Sequence, residues 1–207
     1  MHGSYAGYFV YENLLLSELV LPYKSTLEAM KAHGGSRLYL LPPPEPVDGG
    51  RQIYVVGDLL QELSDFSDSR DGVRHASLRD FLDGFSMGEP LTVPEHPHAK
   101  PGHVMLSRVD PVEDEIWSFR CLAPAPGIRV LGRFAAKDCF IALDWDYREN
   151  IDGEEGWDAL VAGCKSVWRD LFGNLPPHQG NRVNEYLSSD FYVVPASPGR
   201  KGSKRNV

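Results

Sequence analysis

The chain is short of the features that place a sequence quickly. It has three cysteines in 207 residues, Cys121, Cys139 and Cys164, and no CxxC spacing. That pattern excludes a CxxC redox or metal motif and reads as free, buried thiols. No apolar run approaches the roughly 20 residues of a membrane helix. The first residues, Met1-His2-Gly3-Ser4-Tyr5, lack the basic-then-apolar layout of a signal peptide, so a cytoplasmic protein with no membrane partner is expected. There is no P-loop, no GxGxxG behind a strand, no GxSxG and no HExxH. Those absences argue against the commonest nucleotide-binding, hydrolase and metalloprotease classes. Positive charge is scarce too: Lys and Arg number 21 against 29 Asp and Glu, for a formal net charge of −8. The tail 195–207 carries Arg200, Lys201, Lys204 and Arg205 and no acid, so the rest is more acidic than the total. Non-specific affinity for nucleic acid is mostly phosphate attraction, which an acidic body opposes. Any such role must rest on a local basic patch or on the tail, whose Gly/Ser/Lys/Arg composition reads as disordered.

What is present is a normal globular composition, 42% hydrophobic and 24% charged, in a chain long enough to bury a core. The most informative stretch is 115–145, EIWSFRCLAPAPGIRVLGRFAAKDCFIALDW. Three runs in it, 115–122, 128–134 and 139–145, alternate with period two, as half-buried strands of an antiparallel meander do. Trp117, Phe119 and Cys121 share one face of the first, opposite Ile116, Ser118 and Arg120. Ile128, Val130, Gly132 and Phe134 share a face of the second, opposite Arg129, Leu131 and Arg133. Cys139, Ile141, Leu143 and Trp145 oppose Phe140, Ala142 and Asp144. Pro124, Pro126 and Gly127 break the first connection, and 135–138 makes the second, of hairpin length. Strands paired in sequence order bring Arg120, Arg129 and Arg133 together. Such guanidinium groups repel one another unless an anion or carboxylates sit between them.

Around this stretch the chain reads as further strands at 5–11, 37–41, 52–56, 103–109 and 190–194. Helices are expected at 26–33, from Asp58 to about residue 66, at 78–85 behind Ser77, at 155–172, and at 181–187. Residues 67–72 read as a polar loop, and the proline- and histidine-rich 88–103 as a linker or long loop. The fold expected is α+β, a mostly antiparallel twisted sheet with helices packed on one face. The organisation expected is an N-terminal α+β region at 1–95, the sheet and a C-terminal helix at 96–194, continuous with it or not, and the basic tail 195–207.

The pattern of Glu115, Trp117, Phe119 and Arg120, then Gly127, Ile128, Arg129 and Val130, then Phe140, Ile141, Ala142 and Leu143 resembles the sheet of the RelE/HigB-like toxin superfamily. The resemblance covers 115–145. It implies a toxin–antitoxin protein of phage or plasmid type that binds or cleaves RNA on the sheet, as a metal-independent endoribonuclease without a cofactor. An antitoxin would be its protein partner. Attack by a ribose 2′-OH needs a base, an acid and cations for the charged transition state. The resemblance gives Arg129 and Arg133 the charge, His178 and Tyr147 the proton transfer, and Arg120, Lys137 and Arg148 substrate binding. A second class stays open on charge alone: a non-enzymatic acidic protein, of accessory, immunity or inhibitor type, binding a basic protein partner.

Two further clusters carry chemistry by type. Glu95, His96, His98 and His103 are zinc-ligand types, but His-Pro-His in such a loop reads first as solvated chain. Asp144, Asp146, Glu149, Asp152, Glu154 and Glu155 are oxygen donors without the EF-hand spacing. They read as a solvated acidic loop, or as carboxylates that neutralise Arg129 and Arg133. No metal is expected.

Overall fold

The structure, a computed structural model, describes residues 37–64, 67, 69–96, 103–151, 153–188 and 190–195. The expected strand at 5–11, the helix at 26–33, His98, Asp152 and the tail beyond 195 lie outside the described residues. The strands are β1 (Leu38–Leu40), β2 (Gln52–Val56), β3 (Leu91–Pro94), β4 (Leu106–Arg108), β5 (Trp117–Cys121), β6 (Ile128–Ala136), β7 (Cys139–Tyr147) and β8 (Phe191–Val194). The helices are α1 (Gly57–Glu62), α2 (Arg70–Ser86), α3 (Gly153–Phe172) and α4 (Val183–Tyr186), with a 3-10 turn at Val112–Asp114. Among the described residues no helix is long and apolar enough to cross a membrane.

The fold is α+β on a mostly antiparallel sheet, as the alternation implies. Six strands run in the order β1-β2-β7-β6-β5-β4. β4 to β7 form an antiparallel meander, and β2 joins it parallel to β7, with Ile53 opposite Phe140. β3 and β8 form a separate parallel pair. Strands from 38–94 and from 106–194 therefore share both sheets.

Each face of the large sheet buries its own core, because the alternation sends large apolar groups both ways. On one face Trp117, Phe119, Val130, Phe134 and Phe140 meet Leu59 of α1, Leu78, Leu82 and Phe85 of α2, and Tyr186 of α4. This is an aromatic cluster with edge-on contacts: Phe119 to Phe140 at 4.8 Å, Phe119 to Phe85 at 5.0 Å, Phe134 to Phe140 at 5.2 Å. Such pairs add about 0.5–1.5 kcal/mol each beyond their burial. On the other face Ile116, Leu131, Ile141 and Leu143 meet Leu160, Cys164, Trp168 and Leu171 of α3. The helices thus divide between the two faces rather than gathering on one. Gly163 lets α3 lie close to β7, since a Cβ there would come within 2.1 Å of Asp144 Oδ2.

Three local differences from the sequence reading have physical causes. α2 begins at Arg70, not behind Ser77, because Ser69 caps it by accepting a hydrogen bond from the Gly72 N–H at 3.0 Å. The stretch 88–103 holds a strand, β3, whose partner β8 lies a hundred residues away. In β7 the register slips between Leu131 and Gly132, so Asp144 pairs with Leu131 and Ala142 with Gly132. That bulge turns Trp145 to the aromatic face, where it packs against His75 at 5.6 Å, instead of leaving it with Cys139 and Ile141.

Candidate functional site

The residue to build from is Arg129, near the start of β6 on its α3 face. It is directly opposite Arg120 on β5 and Asp146 on β7. A cross-strand pair sits about 5 Å apart at Cβ, so the two guanidinium groups are neighbours by register alone. Arg148, which follows β7, completes the cluster: it and Arg120 are the two positive groups that act on Arg129. Arg129 is only 8% exposed. Burial first, then repulsion by Arg120 and Arg148, pushes its pKa down to about 10. Arg120 is lowered as well, by burial and by Arg148.

Among the described residues no carboxylate pairs with Arg129 itself. The one hydrogen bond given by Arg129 goes to the carbonyl of Ile128 at 3.3 Å. Asp146, across the ladder, turns instead to the N–H of Tyr147 and the side-chain amide of Asn150, both at 2.7 Å. Asp144 accepts from the N–H of Trp145 at 2.8 Å and lies under α3 beside Gly163. Glu149 pairs with Arg74 on the opposite face. Among the described residues of this acidic run, Asp144, Asp146 and Glu149 therefore do not neutralise Arg129. Beside the arginines is a hollow of about 140 Å³, lined by Ser107, Arg108, Val109, Ser118, Arg120, Arg129 and Trp157. It offers guanidinium donors, two serine hydroxyls and one aromatic side chain from the first turns of α3. Arg108 brings little charge to it, because Glu115 accepts its hydrogen bond.

The other expected site residues are placed elsewhere. Arg133 lies four residues along β6 from Arg129, roughly 13 Å at strand rise, and is 8% exposed. α3 covers it: its guanidinium lies 5.6 Å from the Trp168 ring, near Asp114 and Glu115. Tyr147 is on the aromatic face. Its hydroxyl is 2.8 Å from Nε2 of His75, its ring is stacked under Arg74, and burial pushes its pKa up to about 12. His178 bonds its ring Nε2 to the carbonyl of Glu185 at 2.9 Å and packs edge-on against Tyr186. Lys137 is exposed in the β6–β7 turn, at the far end of the sheet from Arg148. Of the seven expected site residues, Arg120, Arg129 and Arg148 come together; Arg133, Tyr147, His178 and Lys137 do not join them. Ser107, Arg108 and Trp157 line the hollow without having been singled out. Ser107 had a legible signal, a polar residue amid the apolar alternation of 103–109. Glu95, His96 and His103 are exposed, and no group of three potential metal ligands converges among the described residues.

Comparison with protein-family models, with curated proteins and with solved structures finds no match to this chain.

Proposed function

We propose that the chain binds single-stranded RNA, seating one phosphate in the hollow at Arg129. The observation that carries this reading is a guanidinium more than nine-tenths buried, crowded by two further arginines and paired with no carboxylate among the described residues. Removing a charge from water costs several kcal/mol, and a cationic cluster recovers it when an anion arrives. The hollow has room for a phosphate group, and the Ser107 and Ser118 hydroxyls can donate to its oxygens. Trp157 gives the neighbouring base an aromatic face to stack on, the usual partner of phosphate contacts in single-strand binding. An acidic body with one basic hollow would make such binding local and salt-sensitive.

The reading keeps the RNA partner of the RelE/HigB-like resemblance and leaves out cleavage. Cleavage needs an acid and a base beside the cations, while Tyr147 and His178 are engaged elsewhere. The test is anisotropy of a fluorescein-labelled RNA dodecamer against salt, with a gel to score intact RNA. One seated phosphate predicts a slope of log K against log salt near about −0.7, the single-strand value per phosphate neutralised. Arg129→Gln should flatten that slope and cost about ten-fold or more in affinity. Equal binding by wild type and Arg129→Gln would overturn the proposal, and cut RNA would restore the enzymatic version.

A further inference from the structure

β2 and β7 are parallel neighbours in the large sheet, and the helices that follow them pack on opposite faces. Leu59 of α1 joins the aromatic face, while α3 covers the other. Where parallel neighbours diverge in this way, a crevice opens outside their carboxyl ends, and open sheets bind ligands there. β2 ends at Val56, and its pairing with β7 stops at Ala142, so β7 runs on past it. A cavity of about 400 Å³, within the range of small-molecule sites, lies at this point. Val56 and Gly57 form one wall, Leu143 and Trp145 a second, and Val167 and Leu171 of α3 a third.

The polar side chains of this cavity are Arg37, Tyr39, Asp58 and Asp144. Asp144 is half-buried and the other three are exposed, so a ligand can reach each of them. Opposite charges thus share the walls, yet they do not meet. Arg37 donates to the carbonyl of Asp170 at 2.9 Å, and among the described residues it pairs with neither carboxylate. Asp144 accepts from the N–H of Trp145 at 2.8 Å. Burial raises its pKa, the Trp145 hydrogen bond offsets part of that rise, Asp146 adds to it, and no cation acts against it. A half-buried carboxylate without a cation gains from a ligand ammonium, and a guanidinium with unused N–H groups gains from a ligand carboxylate. Two carboxylates against one guanidinium make the ammonium the more important of the two.

We propose that this cavity binds a small aliphatic amino acid in its zwitterionic form. The ammonium donates to Asp144, and Asp58 adds to the negative field around it. The carboxylate accepts from Arg37, and the Tyr39 hydroxyl can serve either end. The side chain lies against Val56, Leu143, Val167 and Leu171. The site shares no lining residue with the arginine hollow, and neither ligand requires the other.

The probe is leucine, titrated against the full chain at neutral pH and followed by saturation-transfer NMR. Leucinamide and 4-methylpentanoate keep the side chain and lose one charge each. Saturable binding of leucine is expected, with leucinamide about ten-fold weaker and 4-methylpentanoate weaker still. Arg37→Gln, a change at an exposed position, should bring leucine down to the level of leucinamide and leave leucinamide itself unchanged. Asp144→Asn keeps an oxygen for the Trp145 N–H and should weaken leucine and leucinamide alike, by about ten-fold. No saturable binding of leucine to the wild type, leucinamide bound as tightly as leucine, or unaltered leucine binding by a folded Arg37→Gln protein would each overturn the proposal.

Discussion

Arg74 and Arg129 lie on opposite faces of the same sheet, 2% and 8% exposed, and are provisioned in opposite ways. Arg74 gives two parallel hydrogen bonds to Glu149 at 3.2 Å and a third to Asp71, and stacks 4.4 Å above the Tyr147 ring. The hydrogen bonds to Glu149 raise its pKa. Arg129 has one carbonyl and two neighbouring cations, and its pKa falls. A buried cation with its carboxylates built in is part of the framework. One without them is a place where the framework leaves room for an anion from outside. The difference is in the acidic run after β7: the bulge sends Trp145 and Tyr147 to the Arg74 side, Glu149 follows, and Asp146 turns back to its own loop.

Replacing each arginine by methionine, which keeps most of the stem, breaks this comparison most directly. Arg74→Met should lose about 2 kcal/mol in urea unfolding, less than for a fully buried pair because Glu149 is 41% exposed and stays hydrated. Arg129→Met should be as stable as wild type, or more stable by up to about 1 kcal/mol, since it removes an unpaired buried charge. A loss of 2 kcal/mol or more at Arg129 would make it a framework residue like Arg74.

The parts of the fold set by local chemistry were legible in the sequence. The alternation in β5 and β6 assigned every side chain there to its correct face, and it put Arg120 beside Arg129. What could not be read depended on distant contacts. Gly72 looks like a loop residue, yet it sits in the first turn of α2, where a Cβ would come within 2.2 Å of the Ser67 carbonyl. β3 needs β8 to exist as a strand. Arg133 has the right face, but nothing in its own strand tells that α3 lies over it while the Arg129 end stays open. Tyr147 counts as near the arginines only if the β7 bulge is overlooked.

The two arginines should also differ in pH response. Burial and like charges favour the neutral form of Arg129, so its charge is lost as pH rises through about 10, sooner than for an arginine in water. Phosphate affinity, measured by calorimetry, should hold from pH 7 to 9 and fall as pH rises through 10. An affinity unchanged to pH 11 would place the binding cation elsewhere, in the tail for example.

A smaller effect separates cationic surroundings from thiol activation. Cys139 and Cys164 lie on the Arg129 side, and burial pushes both thiols up to about 12, even with Arg133 acting on Cys164. Cys121, on the other side, is raised as well. Native protein at pH 8 should leave all three unreacted with a disulfide reagent over minutes, and urea should expose them together. Fast labelling of one thiol in the native state would mean that its face opens.

The most direct measurement is the arginine side-chain NMR spectrum of protein labelled with nitrogen-15 at arginine, titrated with single-stranded RNA. The account predicts saturable shifts of the Nε–H signals of Arg129, Arg120 and Arg148, with Arg74 and Arg133 unmoved. A spectrum in which only Arg200 and Arg205 respond, or in which no arginine does, would contradict it.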